Sequence, residues 1–147
     1  MFDCIVIGLG PGGISASLYL NRAGLDILSI GMDDSPIKNA KINNYYGFLG
    51  ESGETLFENG IEQLKKNNIT FLIDEVIKIE PLGNTIKVYT KSNCYETKYL
   101  ILAMGKLSSV DEKFSNFLGN GVSICAHCDA PLYKNRKIYV TGVEPYL

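Results

Sequence analysis

Basic clusters, long apolar runs and histidine are all scarce in this chain, and each shortage removes a class of function. Fourteen Lys and Arg against 16 Asp and Glu leave a formal net charge of -2 over 147 residues. With no basic cluster, neither nucleic acid nor an anionic membrane surface is the expected partner. No apolar run approaches a membrane span, and Asp3 and the glycines interrupt the amino terminus before a signal-peptide core could form. The expectation is a cytoplasmic protein. The four cysteines, Cys4, Cys94, Cys125 and Cys128, are too few and too scattered for a secreted disulfide framework. A zinc site needs four ligands, and beside the closely spaced cysteines the chain offers only its single histidine, His127.

What is present is an ordinary globular composition, 46% hydrophobic and 20% charged, enough for one average domain or one domain plus a fragment of a second. Its organising stretch is DCIVIGLGPGGISASLYLNRAG, residues 3–24. Cys4, Ile5, Val6 and Ile7 form an apolar run of the kind found in buried parallel strands. The run passes into Gly8-Leu9-Gly10-Pro11-Gly12-Gly13 and then a helical pattern with small residues at Gly13, Ala16 and Ser17. Gly8 allows a tight turn, Gly10 lets a pyrophosphate approach bare backbone, and Gly13 lets helix and strand lie close. The helix start then presents free N–H groups to the phosphates. Gly24 suits a helix end, a second apolar run covers 25–30, and Asp33 falls twenty residues after Gly13, where an acid would hold a ribose hydroxyl. An ordinary strand-turn-helix with a solvated Asp33 is the competing interpretation.

Residues 31–44 are turn-rich and lack periodicity, and either line a ligand or merely connect. Phe57, Ile61 and Leu64 predict an amphipathic helix over 54–67, with Thr55 and Glu58 at capping-box spacing. Residues 69–73 read as a third parallel strand. From Val76 the pattern becomes an antiparallel meander: 76–80, a turn at 81–84, 85–90, a turn at 91–93, and 95–103. The last run is predicted to re-enter the main sheet buried on both faces. Residues 106–120 read as a loosely packed linker, and 137–141 as a new strand. Cys4 is predicted to be a small core hydrophobe and Cys94 an incidental surface thiol.

Cys125-Ala126-His127-Cys128 has the spacing that closes a disulfide at a helix start or tight turn, and Asp129 is placed to take up or deliver a proton. Two structural thiols beside a surface Asp would carry the same spacing. So would a thioredoxin-type fold.

GLGPGG at 8–13, GMD at 31–33, NYYG at 44–47, LILAMG at 100–105, GVSICAHCD at 121–129, Tyr133 and KIYVTG at 137–142 together resemble the low-molecular-weight, bacterial-type thioredoxin reductases. The resemblance runs the length of the chain, in order. It implies an α/β architecture: a Rossmann-like FAD-binding domain of three-layer ββα form with an antiparallel meander, incomplete, followed by the start of a second nucleotide-binding-type domain. The FAD-binding portion would cover 1–108, and 109–147 the linker, the C-x-x-C segment and the start of the second domain. Carried over by position, Gly8, Gly10, Pro11, Gly12 and Gly13 would hold the pyrophosphate, and Asp33, with Met32 beside it, the ribose. Asn44 would approach the flavin side, Val76 the adenine, and Ala103, Met104 and Gly105 would wall the site. Cys128 would face the flavin, Cys125 would attack the partner's disulfide, and Asp129 would be the acid–base group.

Three positions depart from the family. Ser35-Pro36-Ile37 replaces its Gly-Gly-Gln, Met104 replaces a threonine, and Gly142-Val143-Glu144-Pro145 stands where a glycine-rich nicotinamide loop belongs. An acid there repels a pyrophosphate, so NADPH is not expected through the usual site, and ferredoxin is the alternative donor by analogy. The resemblance also leaves the second half of the FAD domain unsupplied. The expectation is a truncated form, or a protein completed by a second chain or a second copy, with a homodimer favoured. The favoured function is a flavin-dependent disulfide oxidoreductase passing electrons from FAD to Cys125/Cys128 and on to a thioredoxin-like protein. The alternatives are a non-catalytic FAD-binding module and, more weakly, an NAD-binding oxidoreductase.

Overall fold

The computed structural model describes residues 1–43, 45–49, 52–105, 112–118, 120–125 and 129–140. The chain divides into two compact units, Met1–Gly105 and Lys106–Leu147. Among the described residues no helix is long and apolar enough to cross a membrane.

The first unit opens with β1 (Phe2–Ile7), the glycine turn and α1 (Pro11–Arg22). Pro11 suits the first helical position because its missing N–H would have had no partner there. The helix ends at Gly24, whose φ of +81° is cheap only for glycine. Its N–H returns to the Asn21 carbonyl, and that of Leu25 to Leu20, which closes the last turn. Then come β2 (Ile27–Gly31), a single 3₁₀ turn (Pro36–Asn39), α2 (Gly53–Lys66) and β3 (Thr70–Ile73). The meander follows as β4 (Val76–Leu82), β5 (Thr85–Thr90) and β6 (Cys94–Leu102).

These strands form one six-stranded sheet in the order β3-β2-β1-β6-β5-β4. β1, β2, β3 and β6 run parallel, while β5 is antiparallel to both β4 and β6. β6 serves two partners: 94–97 pair with β5, and from Thr97 to Leu102 it pairs with β1. The meander thereby folds back over one face of the parallel strands. There Ile5, Ile7, Leu28 and Ile30 meet Val88, with Val76, Ile86 and Tyr95 around them. On the other face Cys4, Val6 and Ile27 meet Ala16 and Leu20 of α1, and Leu9, Ile14, Phe57, Leu64 and Ile69 seat α2. Each fully buried Leu or Ile contributes roughly 1.5–3 kcal/mol, so β1, buried on both faces, is the energetic centre of the unit. The ββα layering matches the expectation.

Four local expectations are corrected. The end of β6 is not buried on both faces: Tyr99 is 67% and Leu102 57% exposed. Leu100 packs on the meander-side core and Ile101 and Ala103 on the α1-side core, while Tyr99 and Leu102 stay exposed. The cap of α2 is Ser52 rather than Thr55; its Oγ accepts the Thr55 N–H at 3.3 Å. The next residue, Gly53, packs directly on the Ile37 carbonyl, where a Cβ would come within 1.8 Å. The first meander turn is only Gly83-Asn84, with Pro81 inside β4, which is tolerated because β4 is a sheet edge.

The fourth correction lies in the second unit. Its described elements are α3 (Glu112–Ser115), an isolated bridge between Leu118 and Val122, and a 3₁₀ turn (Ala130–Tyr133). Residues 137–140 are not a strand, and Ile138, Tyr139 and Val140 are exposed. A strand needs a hydrogen-bonded neighbour, and none is present among the unit's described residues. The segment 141–147, with the Gly142-Val143-Glu144-Pro145 loop, lies outside the described residues.

Candidate functional site

Because β1, β2, β3 and β6 are parallel, their carboxyl ends emerge at one edge. Gly8 to Gly13, Met32 and Asp33, Val76, and Ala103 to Gly105 all follow those ends. Backbone bonds stitch the edge together: Gly8 N–H to Ile30 O at 2.7 Å, Ala103 N–H to Ile7 O at 2.7 Å, and Asp74 N–H to Gly31 O at 3.1 Å. Gly8 has φ of +120°, and a Cβ on it would lie 2.2 Å from the Ala103 carbonyl oxygen. A Cβ on Gly13 would lie 1.8 Å from the Gly8 carbonyl oxygen. These two glycines shape the turn itself.

Gly10 and Gly12 differ from them. A Cβ on Gly10 would meet nothing nearer than Ser35 Oγ at 3.5 Å, and one on Gly12 nothing within 4 Å. The space above Gly12 is open, and a side chain at Gly10 would rest against the Ser35 hydroxyl. Gly10 caps α1 without any side-chain hydrogen bond, and the helix begins with Pro11. The N–H groups of Gly12 and Gly13 are thus the first the helix presents, at the positive end of its dipole. A pyrophosphate fits this cradle: it needs bare backbone and uncapped donors, and both are present.

Asp33 follows β2 beside the cradle, exposed, with the half-buried Lys38 Nζ at 2.7 Å from its Oδ1. Lys38 is held over the Phe57 ring, 4.6 Å from its centroid. Sequence reasoning missed Lys38; the signal available was a lysine five residues after the acid, in a proline-initiated turn. An open cavity of about 540 Å³ lies on the α2 side of this pair, lined by Asp33, Lys38, Phe57, Ile61, Phe71 and Ile73. At the end of β3, hydrogen bonds from the Thr90 hydroxyl, the Glu75 N–H and Ser92 hold the Asp74 carboxyl below its ordinary value. Val76 pairs with Thr90, and its side chain packs on the core. Met32 and Met104 are exposed at the rim. Asn44 lies outside the described residues.

In the second unit, Cys125 is half-buried and disulfide-bonded. Its N–H donates to Ser123 Oγ at 3.2 Å, and the Asp129 N–H donates to its carbonyl at 3.0 Å. The Ser123 hydroxyl donates to Asp129 Oδ2 at 2.6 Å. Cys125 and Asp129 are therefore brought together; Cys128 and His127 lie outside the described residues. Among the described residues a 3₁₀ turn (Ala130–Tyr133) follows Asp129. Ser123 is a second residue missed from sequence, although a serine two before a cysteine is the spacing of a side-chain-closed turn. Cys4 and Cys94 are free thiols, the first buried and the second exposed, as expected. Burial pushes the Cys4 thiol up, as befits a packed hydrophobe.

A mixed sheet whose parallel strands carry a glycine turn at their carboxyl edge, followed by a segment with Cys125 in a disulfide, is the architecture of the nucleotide-disulfide oxidoreductase class. The chain belongs to the pyridine nucleotide-disulphide oxidoreductase family, whose model matches residues 2–143. Within that family the match is to the amino-terminal portion of the low-molecular-weight thioredoxin reductases. Thioredoxin reductase of Listeria monocytogenes is 33% identical over 150 residues, 97% of this chain and 46% of that protein. The crystal structure of thioredoxin reductase from Streptococcus pyogenes superposes with a TM-score of 0.81 at 33% identity, covering 90% of this chain and 45% of the other. A ferredoxin-flavin thioredoxin reductase from Clostridium acetobutylicum gives a TM-score of 0.66 at 34% identity, over 90% and 47%. The chain spans about half the length of the curated relatives it matches. The first unit has the Rossmann-like fold of an FAD-binding domain.

Proposed function

We propose that this chain carries the amino-terminal part of a flavin-dependent disulfide oxidoreductase of thioredoxin-reductase type, holding FAD at the carboxyl edge and using Cys125 and Cys128 to reduce a thioredoxin-like protein. The observation that carries the reading is the open space over Gly12 at the uncapped start of α1, with Gly10 leaving bare backbone beside it. The Gly12 and Gly13 N–H groups bind the pyrophosphate, Asp33 accepts from the ribose, Val76 offers main chain to the adenine, and Ala103, Met104 and Gly105 form a wall. Asn44 is assigned to the flavin side on resemblance alone. Bound FAD supplies a two-electron carrier for opening the disulfide.

The chemistry left to the chain is thiol–disulfide exchange. The Cys125 thiolate bonds to one sulfur of the partner's disulfide and expels the other as a thiolate. The Cys128 thiolate then displaces the partner from the mixed disulfide, leaving the partner as a dithiol and the pair oxidised. Asp129 carries a proton between the reacting sulfurs and water. The single glycine at Gly142, followed by Val143 and Glu144, disfavours NADPH and favours a ferredoxin-type donor, a reading the likeness to the Clostridium acetobutylicum protein supports.

The test is a visible spectrum of the purified chain after incubation with FAD and desalting. Retained flavin bands support the proposal, and loss of flavin with retention of NAD overturns it. Reduction of a thioredoxin, with NADPH and separately with reduced ferredoxin, then separates an enzyme from a flavin-binding module that does not turn over.

A further inference from the structure

Three hydrogen bonds close a ring through the C-x-x-C loop. The Ser123 hydroxyl donates to Asp129 Oδ2 at 2.6 Å, the Asp129 N–H to the Cys125 carbonyl at 3.0 Å, and the Cys125 N–H to Ser123 Oγ at 3.2 Å. A hydroxyl has one proton and two lone pairs. The Cys125 N–H occupies one lone pair and so sets the direction of the proton. Two acceptors compete for it, the Asp129 carboxylate at 2.6 Å and the Cys125 carbonyl at 3.3 Å. The carboxylate wins, being both nearer and charged.

We infer that Ser123 is the positioning residue for Asp129, anchoring Oδ2 so that Oδ1 is the oxygen that exchanges a proton with the thiol pair. This rests on the reading of Asp129 as the acid–base group given under Proposed function. A partly buried aspartate still turns about two side-chain bonds, and catalysis by proton transfer depends on keeping the acceptor within reach of its donor. Ser123 fixes that side chain to the backbone of the very cysteine it serves. In the step itself the S–H bond breaks, an O–H bond forms on Oδ1, and the electron pair stays on sulfur as thiolate; the reverse returns the proton. The titratable groups of the loop are Cys125, His127, Cys128 and Asp129. Ser123 adds none, so replacing it alters geometry without altering charge.

The experiment needs neither flavin nor partner. The reduced full-length chain is alkylated with iodoacetamide across a pH series, and each cysteine is followed by mass spectrometry, with exposed Cys94 as internal reference. Asp129→Asn removes a negative charge that opposes a neighbouring thiolate, so the alkylation midpoint of the pair falls by roughly half a pH unit. Ser123→Ala releases the carboxylate and moves the midpoint the same way by less, and Ser123→Thr restores it. The double variant Ser123→Ala/Asp129→Asn matches Asp129→Asn alone, because the two act through one group. Should Ser123→Ala disturb the loop, Thr and Val at 123, alike in shape and different in the hydroxyl, give the same comparison. A wild-type midpoint in Ser123→Ala and in Ser123→Val, or shifts that add in the double variant, overturns the inference. An unshifted Asp129→Asn instead sinks the role of Asp129 itself, and failure to retain FAD sinks the flavin reading while leaving the alkylation result intact.

Discussion

The hydroxyls of Ser17 on α1 and Ser29 on β2 meet at 2.7 Å, and both residues are fully buried. Ser17 also donates to the Gly13 carbonyl at 2.8 Å, which makes Ser29 the donor in the pair. The pair pins the first turns of α1, and hence the cradle, onto the sheet.

Removal of the two partners is therefore unequal. Ser17→Ala strands the Ser29 hydroxyl in the core and costs about 1–3 kcal/mol, whereas Ser29→Ala leaves Ser17 its bond to Gly13 and costs about 1 kcal/mol or less. The double variant costs less than the sum. Urea unfolding with unchanged slope measures all three, and equal costs for the two single variants contradict the assigned donor.

Gly12 and Gly13 separate stability from binding. Gly12→Ala places a methyl in open space, so the melting temperature holds while FAD affinity falls at least about tenfold. Gly13→Ala drives a methyl into the Gly8 carbonyl and costs more than about 2 kcal/mol of stability. Thermal melts and flavin-fluorescence titrations distinguish the two. FAD bound as tightly by Gly12→Ala as by the unaltered chain removes the cradle from the binding site.

Asp33 is tied to Lys38 through Oδ1, and in the proposed reading its carboxylate also accepts from the ribose hydroxyl. Asp33→Asn lowers FAD affinity about tenfold or more, the scale of a hydrogen bond to a charged group. Lys38→Gln removes only a partly exposed ion pair and changes affinity less than about threefold. The reverse order in a titration would make Lys38, not Asp33, the contact.

Asp3 accepts from Lys98 Nζ at 2.7 Å and from the Asp26 N–H at 3.1 Å, joining β1, β6 and the entry to β2. The Lys98 bond, then the backbone bond, hold its carboxyl below the ordinary value of 3.8. A lowered folded value means that the stabilisation is present above the ordinary value and is lost as pH falls through the folded one. Asp3→Asn is therefore less stable than the unaltered chain at neutral pH, and the gap closes as unfolding is followed below about pH 4. A gap that persists in acid would assign the effect to packing.

Much of this arrangement was legible because it rests on local steric facts. Gly8, Gly13 and Gly24 each answer a backbone demand that neighbouring residues announce, and the apolar run of β1 announces burial on both faces. The failures came where distant chain decides. Tyr99 and Leu102 have the composition of a buried strand, but burial depends on what lies over them. Residues 137–140 have strand composition without a strand beside them among the described residues. Ser52 caps α2 from one residue before Gly53, which the Ile37 carbonyl keeps free of a side chain, a contact no spacing rule contains. Lys38 and Ser123 escaped notice because each acts by closing a ring in space with a residue five or six positions away.

The hydrogen-bonded union of β1 with β6 joins residues some 95 positions apart in the chain, as the Thr97 hydroxyl on the Phe2 carbonyl marks. During synthesis β1 must therefore wait for the last strand of its unit, its greasy side chains bare in the meantime. Closing so large a loop is slow. Newly made chains are most vulnerable to sticking to one another over that interval, and shielding the apolar residues of β1 until β6 arrives would raise the yield of the finished unit.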